Sequence, residues 1–210
     1  MRSLPVHRSI FVIDLEKSTV RTNPVKAELR HQVYRMLNLA LACSGVEPGF
    51  LDPFEDRGDG VLALIHPVDD VPKTRLLSRL VPEFVQMLDD YNRALPPAEL
   101  PVRGMRVRVV LHAGEVHRDE NGYFGEAVDV ACRLLDAPRL KKCLSESIAP
   151  LVLVVSEDIY WSIVKHGYDG IRADSYRPGL RVHVAGRRRQ GWIHLPTRTP
   201  GEEDACPSVA

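Results

Sequence analysis

Two aspartates carry the chemistry that this sequence offers. Asp14 ends the apolar run Ser9-Ile10-Phe11-Val12-Ile13-Asp14, and Asp59 lies within Gly58-Asp59-Gly60. The first run reads as a buried strand. The glycines around Asp59 read as the turn of a β-hairpin whose arms run over 50–57 and 60–66. Where that strand and hairpin are neighbours in one sheet, the two carboxylates stand side by side. They repel each other unless a cation lies between them. Mg²⁺ or Mn²⁺ suits such oxygen ligands and leaves positions for water and phosphate. A plainer reading stays open on spacing alone: Asp59 favours a turn, and Asp14 caps the segment after it.

The elements that must position these acids follow from periodicity. Residues 1–7 read as a short leader. Apolar residues Leu29, Val33, Met36, Leu37 and Leu41 recur at helical spacing from Pro24 to about Ser44, and Gly45 is a stop. A second long helix, capped by Asp69 or Asp70, runs to about Asn92, and Pro96, Pro97 and Pro101 end it. A strand over 103–116 alternates Val107, Val109 and Leu111 with Arg106, Arg108, Val110 and His112. Asn121-Gly122 turns a second hairpin. Helices follow over 125–135 and about 140–145, then a strand over 150–155 and a short helix over 158–166. A third hairpin pairs 181–184 with 191–195 around Gly186-Arg187-Arg188-Arg189-Gln190.

The order strand, helix, strand, strand, helix, strand is the ferredoxin-like βαββαβ plan of an α+β protein, with helices on one face of the sheet and C-terminal strands added. No GxGxxG is present, and the Gly-Asp-Gly hairpin breaks the alternation that a dinucleotide-binding fold requires. The reading is one domain over 1–196 and a disordered tail over 197–210.

Composition agrees with a folded domain. The 210 residues include 28 Lys plus Arg and 28 Asp plus Glu, so the formal net charge is zero. A chain of this size buries roughly 70% of its unfolded surface, which is enough for a core without staples. Zero net charge argues against a general nucleic-acid-binding protein, which needs surplus positive charge. No apolar stretch is long enough to span a membrane and no secretory leader opens the chain, so a cytoplasmic protein is expected. Cysteines 43, 132, 143 and 206 lack CxxC spacing and read as free thiols. Period-two alternation sets His112 on the face opposite Glu115 and His117, which argues against a shared zinc site.

Four segments in order resemble the class III nucleotidyl cyclases. Phe11-Val12-Ile13-Asp14-Leu15-Glu16-Lys17-Ser18-Thr19 is similar to the opening metal motif, and Arg57-Gly58-Asp59-Gly60-Val61-Leu62-Ala63 to the second. Residues 106–116 resemble the central strand with its His-x-Gly turn. Residues 123–134 resemble the helix that carries the transition-state arginine. The resemblance covers residues 9 to about 136.

It implies an enzyme that converts a nucleoside triphosphate into a 3′,5′-cyclic nucleotide and pyrophosphate with two Mg²⁺ or Mn²⁺ ions. The ions would be held by Asp14, Asp59 and the Leu15 carbonyl. Glu16, Lys17, Ser18 and Thr19 would cradle phosphate, and Arg187 would hold the terminal phosphates. Arg133 would stabilise the α-phosphate. The family's sites span a dimer, so a homodimer is implied. Asp129 stands where the family places a ribose-orienting asparagine, and an Asp129–Arg133 helix pair is the competing reading. The purine-reading positions fall near Pro53 and Gly122, with Asp52, Glu55 and Tyr123 as nearby substitutes. Bacterial cyclases that make pyrimidine cyclic nucleotides as anti-phage signals also lack the purine pair. The base is therefore read as UTP, CTP or ATP. A cyclase-fold module that binds nucleotide or a partner without turnover is the alternative.

Overall fold

The computed structural model describes residues 4–196. Among them eight strands form one sheet, ordered β2-β3-β1-β4-β6-β8-β7, with β5 paired to β4. The strands are β1 (Val6–Leu15), β2 (Glu55–Asp56), β3 (Gly60–Ile65), β4 (Val107–Asp119), β5 (Gly122–Phe124), β6 (Leu151–Ser156), β7 (Arg177–Val184) and β8 (Arg187–His194). The first four obey the expected plan: β1 lies between β3 and β4, antiparallel to both, and β2 flanks β3. The only parallel pair among these strands joins β4 to β6, so the C-terminal strands extend the sheet beyond the βαββαβ core.

The helices are α1 (Asn23–Cys43), α2 (Lys73–Arg75), α3 (Val81–Ala94), α4 (Leu100–Arg103), α5 (Glu126–Leu135), α6 (Pro138–Ser145) and α7 (Glu157–Ser162). A wider π turn over Leu76–Leu80 joins α2 to α3 into one run. Pro82, whose ring removes an N–H, is the second residue after that turn.

The pleat divides the core in two. Phe11, Ile13 and Leu15 point to the face covered by α1 and α3, where Leu29, Val33, Leu37, Phe84 and Leu88 pack with Val107, Val109 and Leu111. Ile10 and Val12 point the other way, against Val128, Ala131 and Leu134 of α5 and Leu140 and Leu144 of α6. The two helices of the ferredoxin-like core thus share one face, as expected. The later helices α5 and α6 add a layer on the other. With both faces covered, every residue of β3 and β6 is buried, which is why they read as continuous apolar runs.

Several boundaries differ from the sequence reading. The supposed leader contributes Val6 and His7 to β1, opposite Val116 and Glu115. Neither Asp69 nor Asp70 caps the second helix; Pro72 precedes its first residue. Arg103 ends the short α4, so β4 starts at Val107 and runs on to Asp119. Arg187, Arg188 and Arg189 are strand residues, and the turn is Ala185-Gly186. The tail expected over 197–210 lies outside the described residues. Cys132 and Cys143 are free thiols; Cys43 departs from that expectation, being disulfide-bonded. No helix of the described residues is long and apolar enough to cross a membrane.

The start of β4 is pinned to the end of α3 by one side chain. Asn92 Nδ2 donates to the Met105 carbonyl and Met105 N donates to Asn92 Oδ1, each at 2.7 Å. Asn92→Ala leaves both groups of buried Met105 without partners, at an expected cost of about 1–3 kcal/mol. Asn92→Asp keeps the acceptor and should lose less. Denaturant midpoints at unchanged slope measure both; an Asn92→Ala protein as stable as wild type contradicts the assignment.

Candidate active site

The position of Asp14 is fixed by two ladders. It faces Gly60 across β3 and Arg108 across β4. Leu15 N donates to the Asp59 carbonyl at 3.1 Å, so the two aspartates leave adjacent rungs of the β1/β3 ladder. Gly60 permits this closeness: a Cβ there would lie 2.3 Å from the Ile13 carbonyl oxygen. Gly58, at φ 79°, supplies the left-handed residue of the turn.

A cleft of about 410 Å³ opens beside the hairpin. It is lined by Leu15, Ser18 and Thr19 after β1, by Gly58, Asp59, Gly60 and Val61, and by Lys26, Ala27, Arg30, Val33 and Tyr34 of α1. Four of the residues singled out from sequence meet here: Leu15, Ser18, Thr19 and Asp59. Among the described residues, neither the Asp59 carboxylate nor the Lys26 ammonium makes a side-chain hydrogen bond or ion pair.

Asp14 stands on the other side of β1, with the residues that face α5. Its carboxylate is paired with Arg108, and the two side chains are only 17% and 11% exposed. Burial pushes the Arg108 guanidinium below its usual range, with Asp136 opposing that shift. Arg108 Nε is buried without an acceptor, so the guanidinium has a donor to spare for a further oxygen.

The other singled-out residues lie elsewhere. Glu16 is buried and faces Arg106 at 3.5 Å. Lys17 is exposed in a left-handed conformation, φ 55°. Asp129 and Arg133 are both exposed on α5, and no ion pair joins them among the described residues. Arg187 is exposed on β8, three strands from β1. Within one chain the structure does not bring these last three to the cleft.

Lys26, Arg30, Tyr34 and Arg108 were missed as site residues. The first three form an i, i+4, i+8 stripe that shares one helix face beside the Asp14 loop. The signal for Arg108 was a charged residue amid the valines of a central strand.

The described residues hold no cluster of three or more His, Cys, Asp or Glu side chains suited to a metal. A closed cage is therefore absent from them. Asp14 and Asp59 leave neighbouring rungs, so their side chains start on opposite faces of the β1/β3 pair. The two carboxylates meet one Mg²⁺ or Mn²⁺ only around the strand end where the turn carries Asp59. Such an ion takes one or two carboxylates and completes its shell with water and phosphate. A cation at Asp14 would compete with Arg108 for that carboxylate.

The positions near the expected base site are in contact. Tyr123 N donates to Glu55 Oε2 at 3.0 Å, and Tyr123 Oη donates to the Pro53 carbonyl at 3.5 Å. Asp52 is turned away to Arg8 at 2.7 Å and His66 at 3.2 Å. Burial resists its ionisation, but those two partners prevail and hold its pKa below the usual range. His112 sits with Ser156 at 2.8 Å, whereas Glu115 meets His7 and His117 stacks on Phe124, so the three share no site. Trp192 is buried and stacked on Tyr160, whereas Trp161 is half-exposed.

No protein-family model matches the sequence, and no curated protein matches it. Solved structures do match the fold. The guanylyl cyclase Cya2 aligns over 96% of this chain and 98% of its own at TM-score 0.61 and 16% identity. The adenylate/guanylate cyclase/hydrolase from Silicibacter pomeroyi aligns over 92% and 99% at TM-score 0.61 and 17% identity. The adenylyl cyclase CyaB from P. aeruginosa aligns over 94% and 97% at TM-score 0.59 and 16% identity. The chain therefore has the fold of these cyclases, at nearly full length on both sides.

Burial next to the strand ends also has a pH consequence. Desolvation lowers the His112 pKa from 6.5 to about 4, with Asp158 opposing and Arg189 and His7 adding to the shift. Above pH 6.5 both folded and unfolded forms carry neutral imidazole, and nothing is lost. Below it the unfolded chain takes up the proton first, so stability falls until the folded pKa near 4. Within that window the wild type should lose up to about 1.4 kcal/mol more per pH unit than His112→Gln. Parallel stability curves for the two proteins from pH 7 to 4 would refute this.

Proposed function

We propose that this protein is a nucleotidyl cyclase that closes a nucleoside triphosphate to a 3′,5′-cyclic nucleotide and releases pyrophosphate. One observation carries the reading: on a cyclase fold, Asp14 and Asp59 leave adjacent rungs, and Asp59 borders a cleft floored by the β1–α1 loop. Those residues are of the type, and on the elements, that the reaction requires.

Asp14, Asp59 and the Leu15 carbonyl would hold the divalent ions. Bound there, the ions would acidify the ribose 3′-hydroxyl and neutralise the triphosphate. The chain's own groups do the rest. Glu16 N is spent on the Arg106 carbonyl at 2.8 Å, and the backbone N–H groups of 17–19 and the first turn of α1 would offer donors and a positive dipole end to phosphate. Ser18 and Thr19 add hydroxyls at the cleft wall. The 3′-oxygen, losing its proton, forms a bond to the α-phosphorus as the bond to pyrophosphate breaks, and holding these atoms in line supplies much of the rate.

Arg133 stabilises the α-phosphate charge, Asp129 accepts a hydrogen bond from the ribose, and Arg187 grips the terminal phosphates. All three are exposed and lie away from the cleft of their own chain. That supports a homodimer in which a second copy supplies them. Near Pro53 and Gly122 no side chain replaces the purine-reading pair, and Glu55 is spent on Tyr123 N. The substrate is a pyrimidine triphosphate, UTP or CTP, or else ATP, and a pyrimidine product would go with a role in anti-phage signalling in the cytoplasm. The second reading, a nucleotide-binding or partner-docking module without turnover, draws on the Arg108–Asp14 pair, which neutralises a metal ligand.

The test is incubation with ATP, GTP, CTP and UTP, each with Mn²⁺, and resolution of products by mass. One cyclic nucleotide is expected, lost in Asp14→Ala and in Asp59→Ala, and reduced roughly a hundredfold or more in Arg133→Ala. Product that persists in both aspartate variants rejects the mechanism. Binding without any product establishes the second reading.

A further inference from the structure

The turn that carries Asp59 is held from outside the sheet by one residue of α1. Arg30 Nη1 donates to Asp56 Oδ1 at 2.5 Å, Nη2 donates to Asp56 Oδ2, and Nη1 also donates to the Gly58 carbonyl. Asp56 Oδ1 in turn accepts from Gly58 N at 2.8 Å. The Arg30 hydrogen bonds hold the Asp56 carboxylate well below the usual carboxylate range, helped by the Gly58 N–H. The guanidinium also lies over the Tyr34 ring, 5.3 Å from its centre, which fixes the fork from its other side.

The consequence is a turn restrained at every residue around Asp59. Asp56 and Gly58 are tied to α1, Arg57 N donates to the Gly60 carbonyl at 3.0 Å, and the Asp59 carbonyl accepts from Leu15 N at 3.1 Å. The Asp59 side chain is left without a partner among the described residues. A two-residue strand cannot impose this by itself: β2 is only Glu55–Asp56, and such a short edge is marginal alone. An isolated exposed ion pair is worth little, but a bidentate fork that also takes a backbone carbonyl fixes geometry as well as charge.

We infer that Arg30 is a positioning residue for the metal aspartate Asp59: it acts through Asp56 and Gly58 and sets where the Asp59 carboxylate meets the cleft. The inference rests on the cyclase reading for its Mn²⁺ and activity readouts. The restraint of the turn, read by hydrogen exchange, is independent of any reaction.

The experiment compares wild type, Arg30→Met, Arg30→Lys and the exchanged pair Arg30→Asp/Asp56→Arg. Amide hydrogen exchange over 55–60 and calorimetric titration with Mn²⁺ alone are the primary readouts; cyclic-nucleotide formation is the third. Arg30→Met should speed exchange at Gly58–Gly60 while exchange in β1 and β4 is unchanged. Its Mn²⁺ affinity should fall, and by less than the roughly 10- to 100-fold that removing a direct partner of a metal ligand costs, because Arg30 bonds Asp56 and Gly58 and not Asp59 itself. Arg30→Lys keeps the charge but not the fork and should fall between the two. The exchanged pair should recover part of the protection. Unchanged exchange and unchanged Mn²⁺ affinity in Arg30→Met overturn the inference. So does a loss that spreads over the whole sheet in both Met and Lys variants, which would mark a merely structural role. A wild type that binds no Mn²⁺ and forms no product refutes the cyclase reading and with it the role toward the metal, an outcome visible before any variant is made.

Discussion

Everything in this site depends on the register of β1 between β3 and β4. Ile10 and Val12 must enter one core and Phe11, Ile13 and Leu15 the other. A slip of one residue would exchange the two sets, bury Asp14 among the α1 and α3 side chains, and force each apolar set into a core shaped for the other. Misfitted core side chains cost about 1–3 kcal/mol each, so five of them together take a large share of the roughly 5–15 kcal/mol that holds a typical domain folded. The position of Asp14 is therefore set by hydrophobic burial that has no chemistry of its own. Gly60 extends the constraint to Asp59, because only a residue without Cβ lets the hairpin close against Ile13.

That register has an electrostatic cost. Asp14 arrives on a face that is otherwise apolar, and Arg108 is the cation opposite it. Two side chains this buried differ from a surface pair. Removing one partner of a buried pair costs about 3–5 kcal/mol, against about 0–1 for exposed pairs. Asp14→Ala therefore tests two things at once, since it also strands Arg108. Asp59 has no such partner among the described residues, and its replacement probes the cleft with less structural damage. Arg108 would also make any cation binding at Asp14 a contest, since a cation would gain the carboxylate only as the guanidinium found another acceptor. Its unpartnered Nε shows that it is not fully satisfied where it stands.

Most of the fold was legible because its signals are local or periodic. The alternation in β4 put Val107, Val109 and Leu111 on one face, and α1 was read to within a residue or two from its apolar spacing and Gly45. The boundaries that failed were those where tertiary contact overrides local pattern. Val6 and His7 join β1 because β4 runs far enough to pair with them. Arg187 to Arg189 look like a solvated turn but lie in β8, where Arg189 meets Glu126 at 2.5 Å. The site was half legible. Asp14, Asp59 and Ser18–Thr19 announce themselves through turn glycines and strand ends. Arg30 does not, since its partners Asp56 and Gly58 lie 26 and 28 positions away, and no short-range pattern links them.

The separation of the remaining residues has a physical reading as well. Asp129 and Arg133 share the outer face of α5, whose inner face is committed to the core through Val128, Ala131 and Leu134. The helix cannot rotate to bring Arg133 inward without withdrawing those residues. A flexible arginine reaches only several ångströms, so no rotamer alone carries Arg133 around α5 to the opposite face of the sheet, where the α1 cleft opens. If Arg133 acts on a substrate in such a cleft, that cleft belongs to another molecule. Catalysis by this chain would then depend on protein concentration through the dimer equilibrium, and a mixture of Asp59→Ala and Arg133→Ala chains would regain activity that neither has alone.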